Sequence, residues 1–165
     1  MINDSYIELL IKRKTSFAVR IIRLVAYICT GLSLVLALTG FLVALIPLIL
    51  FGILSYFLGL YTEVEYEYTY VDRELQVDRI LGRSRRKRME TLDLNQLEIL
   101  APLNSHQLDG YRGRMKDCRD YSSGEVKQPE ARFYLAAGNR NLIIEPSEAM
   151  VKLIGSISPR KVFTA

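Results

Sequence analysis

From Leu24 to Thr62 the chain holds no Asp, Glu, Lys, Arg or His, a run of 39 residues. A helix rises about 1.5 Å per residue, so one helix through it would be roughly 58 Å long. The hydrocarbon core of a bilayer is about 30 Å thick. One span cannot use the whole run, but two short spans can. They are predicted at Arg20–Leu38 and Leu42–Tyr61, with Thr39, Gly40 and Phe41 at the turn, where glycine accepts backbone angles other residues resist. Pro47 either lies in the first turn of the second helix, where its missing N–H costs nothing, or kinks that helix.

Two competing readings of the run are weaker. A signal peptide would have a far shorter apolar stretch ending in a small-residue cleavage site. A buried soluble hairpin would need more cover than the remaining chain supplies. The charge balance agrees with a membrane flank. Residues 1–23 carry Lys12, Arg13, Lys14, Arg20 and Arg23 against Asp4 and Glu8, a net +3 of the chain's +4. The inter-helix turn has no charge, so the positive-inside rule places both termini in the cytoplasm of a two-pass protein in the cell membrane. Cys29 and Cys118 suggest neither a bridge nor a metal site, and no cofactor motif is present.

Three segments follow: an N-terminal amphipathic cytosolic segment (1–19), a transmembrane helical hairpin (20–61), and a cytosolic β-rich domain with a C-terminal helix (63–165). In the first, Asn3 to Ile11 reads as a short helix capped by Asn3 or Asp4. It either lies in the interface or runs on into the first span. In the third, Glu63 to Val71 alternates. Val64, Tyr66, Tyr68 and Tyr70 form one face, the pattern of a half-buried strand. Asp72-Arg73-Glu74 is a turn without glycine. Strands follow at Leu75–Leu81, Arg86–Leu94 and Leu97–Leu100. Residues 103–130 form a long, partly helical excursion. A hairpin at Ala131–Ala136 and Asn141–Glu145 turns at Gly138-Asn139-Arg140. Pro146 opens a final helix at N1, with Met150, Val151, Leu153, Ile154 and Ile157 on its apolar face.

This order resembles bacterial pleckstrin-homology-like domains, in which one C-terminal helix plugs a curved antiparallel sheet. Glu65-Tyr66-Glu67-Tyr68-Thr69-Tyr70, Asp78-Arg79-Ile80, Arg85-Arg86-Lys87-Arg88, Ile99-Leu100-Ala101-Pro102, Ile144-Glu145-Pro146 and Pro159-Arg160-Lys161-Val162-Phe163 are similar to an uncharacterised family of small bacterial membrane proteins. The resemblance implies an α+β architecture, a two-helix hairpin followed by a small antiparallel domain closed by a helix. It supplies no catalytic residues. The six strands counted here are one fewer than that fold usually has.

Candidate sites are few. His106 reads as a surface residue. Cys118, beside Lys116 and Arg119, is either a plain thiol or one with a lowered pKa. Gly110-Tyr111-Arg112-Gly113-Arg114 lacks the strand–loop–helix context of a phosphate loop. The tyrosine stripe is a core face or a ligand platform. The strongest candidate is Arg83, Arg85, Arg86, Lys87 and Arg88, too crowded a run for ion pairs in a small domain to account for. It is a solvated turn, a contact for anionic lipid headgroups, or a less expected nucleic-acid contact without the aromatic interleaving of such sites. The expected function is a membrane-anchored non-catalytic binding or assembly module that contacts a protein partner, itself or anionic lipid headgroups. The alternative is a membrane-associated enzyme or enzyme subunit with an unrecognised site.

Overall fold

The structure is a computed structural model that describes residues 6–125 and 131–164. Its contacts divide the chain into two compact units. One holds Thr15–Val64 with Leu81–Arg85. The other holds the segment through Lys14, Glu65–Ile80, and the chain from Arg86 onward.

In the helical unit, α1 (Phe17–Leu38) and α2 (Leu45–Thr62) are joined through Gly40, at φ 92°, and a 3-10 turn at Leu42–Ala44. Pro47 is the third residue of α2. Its ring and missing N–H leave the preceding turn 3-10 rather than α-helical, so the first-turn reading holds. Both helices are long and apolar enough to cross a membrane. Apart from Tyr6 and Leu10, every exposed large apolar side chain among the described residues lies between Phe17 and Tyr61. The helices meet through small residues. Ala26 and Ser33 of α1 and Ser55 of α2 are buried, and the Thr30 and Ser55 hydroxyls are 3.4 Å apart. Small side chains let helix backbones approach closely where lipid supplies no hydrophobic drive. Arg23 donates to the Thr62 hydroxyl at 2.9 Å and lies over the Tyr27 ring.

The other unit is built on two four-stranded sheets, ordered β1-β2-β3-β4 and β5-β7-β8-β6. The strands are β1 (Tyr6–Lys12), β2 (Val64–Val71), β3 (Glu74–Leu81), β4 (Arg85–Asp93), β5 (Leu97–Pro102), β6 (Arg119–Asp120), β7 (Phe133–Ala137) and β8 (Arg140–Ile144). The helix expected over Asn3–Ile11 is therefore corrected over its described part. Tyr6–Lys12 is a strand, antiparallel to β2 with Leu9 opposite Tyr68. Ile7, Leu9 and Ile11 are partly buried on the face of Tyr70, Tyr68 and Tyr66, while Tyr6, Glu8, Leu10 and Lys12 are exposed. Seven residues with apolar groups at 7, 9, 10 and 11 satisfy either periodicity, and pairing with a tyrosine-faced strand decides for β. The caps Asn3 and Asp4 lie outside the described residues.

Asp72 and Arg73 both take positive φ, 46° and 69°, in the two-residue β2–β3 turn. Such turns favour Asn and Gly. Here the Arg73 carbonyl accepts from the Leu94 N–H at 2.8 Å, and its side chain reaches Asn95 at 3.2 Å. These contacts hold a conformation that arginine disfavours alone.

The excursion after β5 consists of 3-10 turns at His106–Tyr111 and Arg114–Asp117 followed by β6. Leu108, Tyr111 and Met115 pack on Ile99, Ala101, Tyr134 and Ala136, one face of the second sheet. Pro129, grouped with this loop in the sequence, lies outside the described residues. The β5 edge is covered by the C-terminal segment, for the Leu100 N–H donates to the Lys161 carbonyl and the Phe163 N–H to the Leu100 carbonyl, both at 2.8 Å. Helix α3 (Glu148–Ile157) buries Met150, Val151 and Ile154. Its N-cap is Ser147, whose hydroxyl accepts from the Met150 N–H, so Pro146 precedes the helix rather than occupying N1. A proline there stops the chain from extending the helix backwards past the cap.

Candidate interaction site

The basic run begins in the β3–β4 turn. Gly82 and Arg83 both have positive φ, and the Gly82 N–H donates to the Glu63 carbonyl at 2.9 Å. Arg83 lies 3.7 Å from the Glu63 carboxylate, an exposed pair. Of the cations in the sheet unit, Arg86 donates to Asp78 at 2.7 Å and to Glu67, and Arg88 donates to Asp78 at 3.2 Å. The Glu67 and Asp78 side chains are each only 6% exposed. The expectation that ion pairs could not account for the run is corrected. Three of the five cations are paired, Arg83 with Glu63 just before β2, and Arg86 and Arg88 with carboxylates of β2 and β3 that sequence proximity does not reveal. Arg85 and Lys87 are exposed and make no ion pair among the described residues.

Glu67 shares this cluster with Glu8 of β1. Burial raises the Glu67 carboxyl above its ordinary range and the neighbouring Glu8 raises it further, while Arg86 acts the other way. The Glu8 carboxyl is lowered by its neighbour Glu67 and by the Tyr6 hydroxyl, which donates at 2.5 Å.

The other sequence candidates carry less. Tyr66, Tyr68 and Tyr70 are 4%, 0% and 4% exposed, which makes the stripe a core face. The Tyr68 hydroxyl donates to the Tyr121 carbonyl at 2.6 Å, and burial raises its pKa. Cys118 is not activated. Burial and then Asp120 raise its thiol, which donates to the Met115 carbonyl at 2.9 Å. His106 is exposed in a 3-10 turn, and Gly110–Arg114 lies in 3-10 turns rather than a phosphate loop.

Sequence reasoning missed a second charged centre. Glu90, 3% exposed, accepts from Arg119 and from Arg140 at 3.0 Å, and the Tyr121 hydroxyl lies 3.3 Å away. Arg132 donates to Asp120 at 2.7 Å and to the Ser122 hydroxyl at 3.0 Å. These partners lie up to 50 residues apart, beyond any local sequence signal.

A cavity of about 580 Å³ beside α3 is lined by Phe133, Pro146, Val151, Glu148 and Lys152 among others. Its two ionisable groups are highly exposed and 3.9 Å apart, so they face each other across one helix turn. No group of three or more His, Cys, Asp and Glu among the described residues is placed to hold a metal. By contrast, among the described residues β1 and β4 are open edges of the first sheet. Open edges offer backbone pairing, a feature of binding rather than of catalysis.

A family model described as a bacterial PH-like domain, DUF6106, matches residues 3–164. The chain belongs to this family. The match spans the hairpin as well as the sheets, so β1, the two apolar helices and the PH-like sheets and helix are parts of one family pattern. No curated protein and no solved structure matches the chain. A PH-like domain points to a binding or assembly role.

Proposed function

We propose that this chain is a bilayer-anchored, non-catalytic binding or assembly module, with both termini and the PH-like domain in the cytoplasm. The observation that carries this reading is the exposed apolar surface of α1 and α2. Apolar patches on soluble monomers seldom exceed a few hundred Å², and here nearly every outward side chain over two helices is apolar. Each helix is about 30 Å long, the thickness of a hydrocarbon core. Lys12, Arg13 and Lys14 precede α1, Arg20 and Arg23 lie in its first two turns, and no basic residue stands in the inter-helix turn, which favours cytoplasmic ends. Thiol labelling at the turn and in the domain tests this reading.

Arg85 and Lys87 are the cations available to a ligand, and anionic lipid headgroups are the partner that suits them. Each cation near an anionic leaflet contributes about 1 kcal/mol. Two give about 2 kcal/mol, a weak attraction that a membrane tether strengthens through high effective concentration. In a soluble form with residues 1–14 linked to 64–165 through a flexible segment, neutralising Arg85 and Lys87 should weaken binding to anionic vesicles roughly thirtyfold. Binding should fall with added salt and be absent on neutral vesicles. Equal binding to neutral vesicles, or no loss on neutralisation, would reduce the run to a solvated turn.

A further inference from the structure

We infer that β1 is the surface through which two copies of this chain associate, its free edge pairing antiparallel with the β1 edge of a second copy about a two-fold axis. The inference rests on the assembly-module reading above and names the partner.

Among the described residues β1 and β4 are the two unpaired edges of the first sheet, and they differ in charge. Strand β4 carries Arg85, Arg86, Lys87 and Arg88 consecutively, so two such edges repel. Charged edges of this kind are how natural sheets prevent edge-to-edge pairing. Strand β1, Tyr-Ile-Glu-Leu-Leu-Ile-Lys, carries only two charges, Glu8 and Lys12, of opposite sign, and the Lys14 N–H just beyond it donates to the Ser123 carbonyl, so the stretch open to pairing is the strand itself. It contains no proline or glycine, pairs with β2 over seven residues without a register shift, and is neutral overall. Its outward side chains include Tyr6 and Leu10, 54% and 47% exposed, the large apolar residues left open outside the hairpin region among the described residues.

The sequence of β1 is also self-complementary. With Leu10 opposite the Leu10 of the second copy, Leu9 stands opposite Ile11 and Glu8 opposite Lys12. The two-fold axis makes each of those pairs occur twice. Successive side chains alternate between faces, so this register keeps Leu9 and Ile11 on the core face of a continuous sheet. Glu8, Leu10 and Lys12 then lie together on the outer face, with opposite charges directly across from each other. The same patch serves both copies, so the assembly closes as a dimer instead of extending. Phe17 opens α1 five residues after Lys12, so anchored copies would meet at high local concentration.

The test uses the full chain in its membrane, with Cys29 and Cys118 replaced by Ser. Leu10→Cys should crosslink to a dimer of itself, and Thr91→Cys, exposed on β4, should not. Adding Glu8→Lys or Lys12→Glu to the Leu10→Cys chain turns both cross-strand pairs repulsive and should lower dimer yield roughly tenfold. Mixing those two variants in one membrane restores opposite charges at both pairs and should recover the yield. No Leu10→Cys dimer, an equal dimer at Thr91→Cys, a crosslink to a different protein instead, or single variants that dimerise like the parent would each overturn the inference. The crosslink decides the pairing whatever fraction the chain occupies. An alkaline wash of the same membranes decides anchoring separately, since an anchored chain stays in the pellet.

Discussion

A chain cut back to residues 64–165 should lose much of its stability, although it contains all but the first residue of the 63–165 tail that sequence alone marks as the soluble domain. Strand β1 comes from before the hairpin and completes the first sheet. Without it, the tyrosine face of β2 loses Ile7, Leu9 and Ile11. Half-burying three such side chains contributes about 1 kcal/mol each, so about 3–4 kcal/mol in all with the strand ladder added. Small domains have only about 5–15 kcal/mol to lose. The midpoint should fall by about 12–30 °C for a domain of this size. Linking residues 1–14 to 64–165 through a flexible segment should restore it. The check is thermal unfolding of the two soluble forms, and equal midpoints would show that β1 adds nothing to the fold.

Ile154→Asp should unfold the same domain. Ile154 is fully buried on α3 between the buried Met150 and Val151 and the helix end. A carboxylate there has no partner, and such changes belong to the class that costs more than about 4–5 kcal/mol. Ile154→Ala should cost about 2–5 kcal/mol, the range for a truncated core residue. Leu153→Asp should be milder, because Leu153 is only partly buried. Denaturant titration of the linked soluble form ranks the three. A ranking with Leu153→Asp as the worst would mean that α3 docks through a different face.

The two apolar helices were legible because an uncharged run of 39 residues, long enough for two membrane-length helices, is a strong mark on sequence. Strands β2 to β5, the β7–β8 hairpin and α3 were legible within a few residues, because each carries its own alternation, turn or cap. Strand β1 was not. Its partner is nearly sixty residues away across the hairpin, and its seven residues fit a helical face as well as a strand. The basic run was visible as composition, but its state was not. The carboxylates that pair Arg86 and Arg88 lie on β2 and β3, and only the sheet brings Glu67 and Asp78 to them. The excursion after β5 looked loose because glycine and polar residues dominate it, yet Leu108, Tyr111 and Met115 pin it to the second sheet. Cys118 shows the same limit. Its basic sequence neighbours left a lowered pKa open beside the plain-thiol reading, and in the fold burial and Asp120 act the other way.

The anchored-module account is tested most directly by thiol labelling in intact cells. Gly40 is a poor place for the outer probe, since its φ of 92° would strain any side chain put there. Thr39, exposed next to it, serves instead. In a chain with Cys29 and Cys118 replaced by Ser, Thr39→Cys should react with a membrane-impermeant maleimide added outside. Ser105→Cys should react only after the membrane is opened. Labelling of Ser105→Cys in intact cells, or protection of Thr39→Cys until the membrane is opened, would contradict an anchored hairpin with its PH-like domain in the cytoplasm.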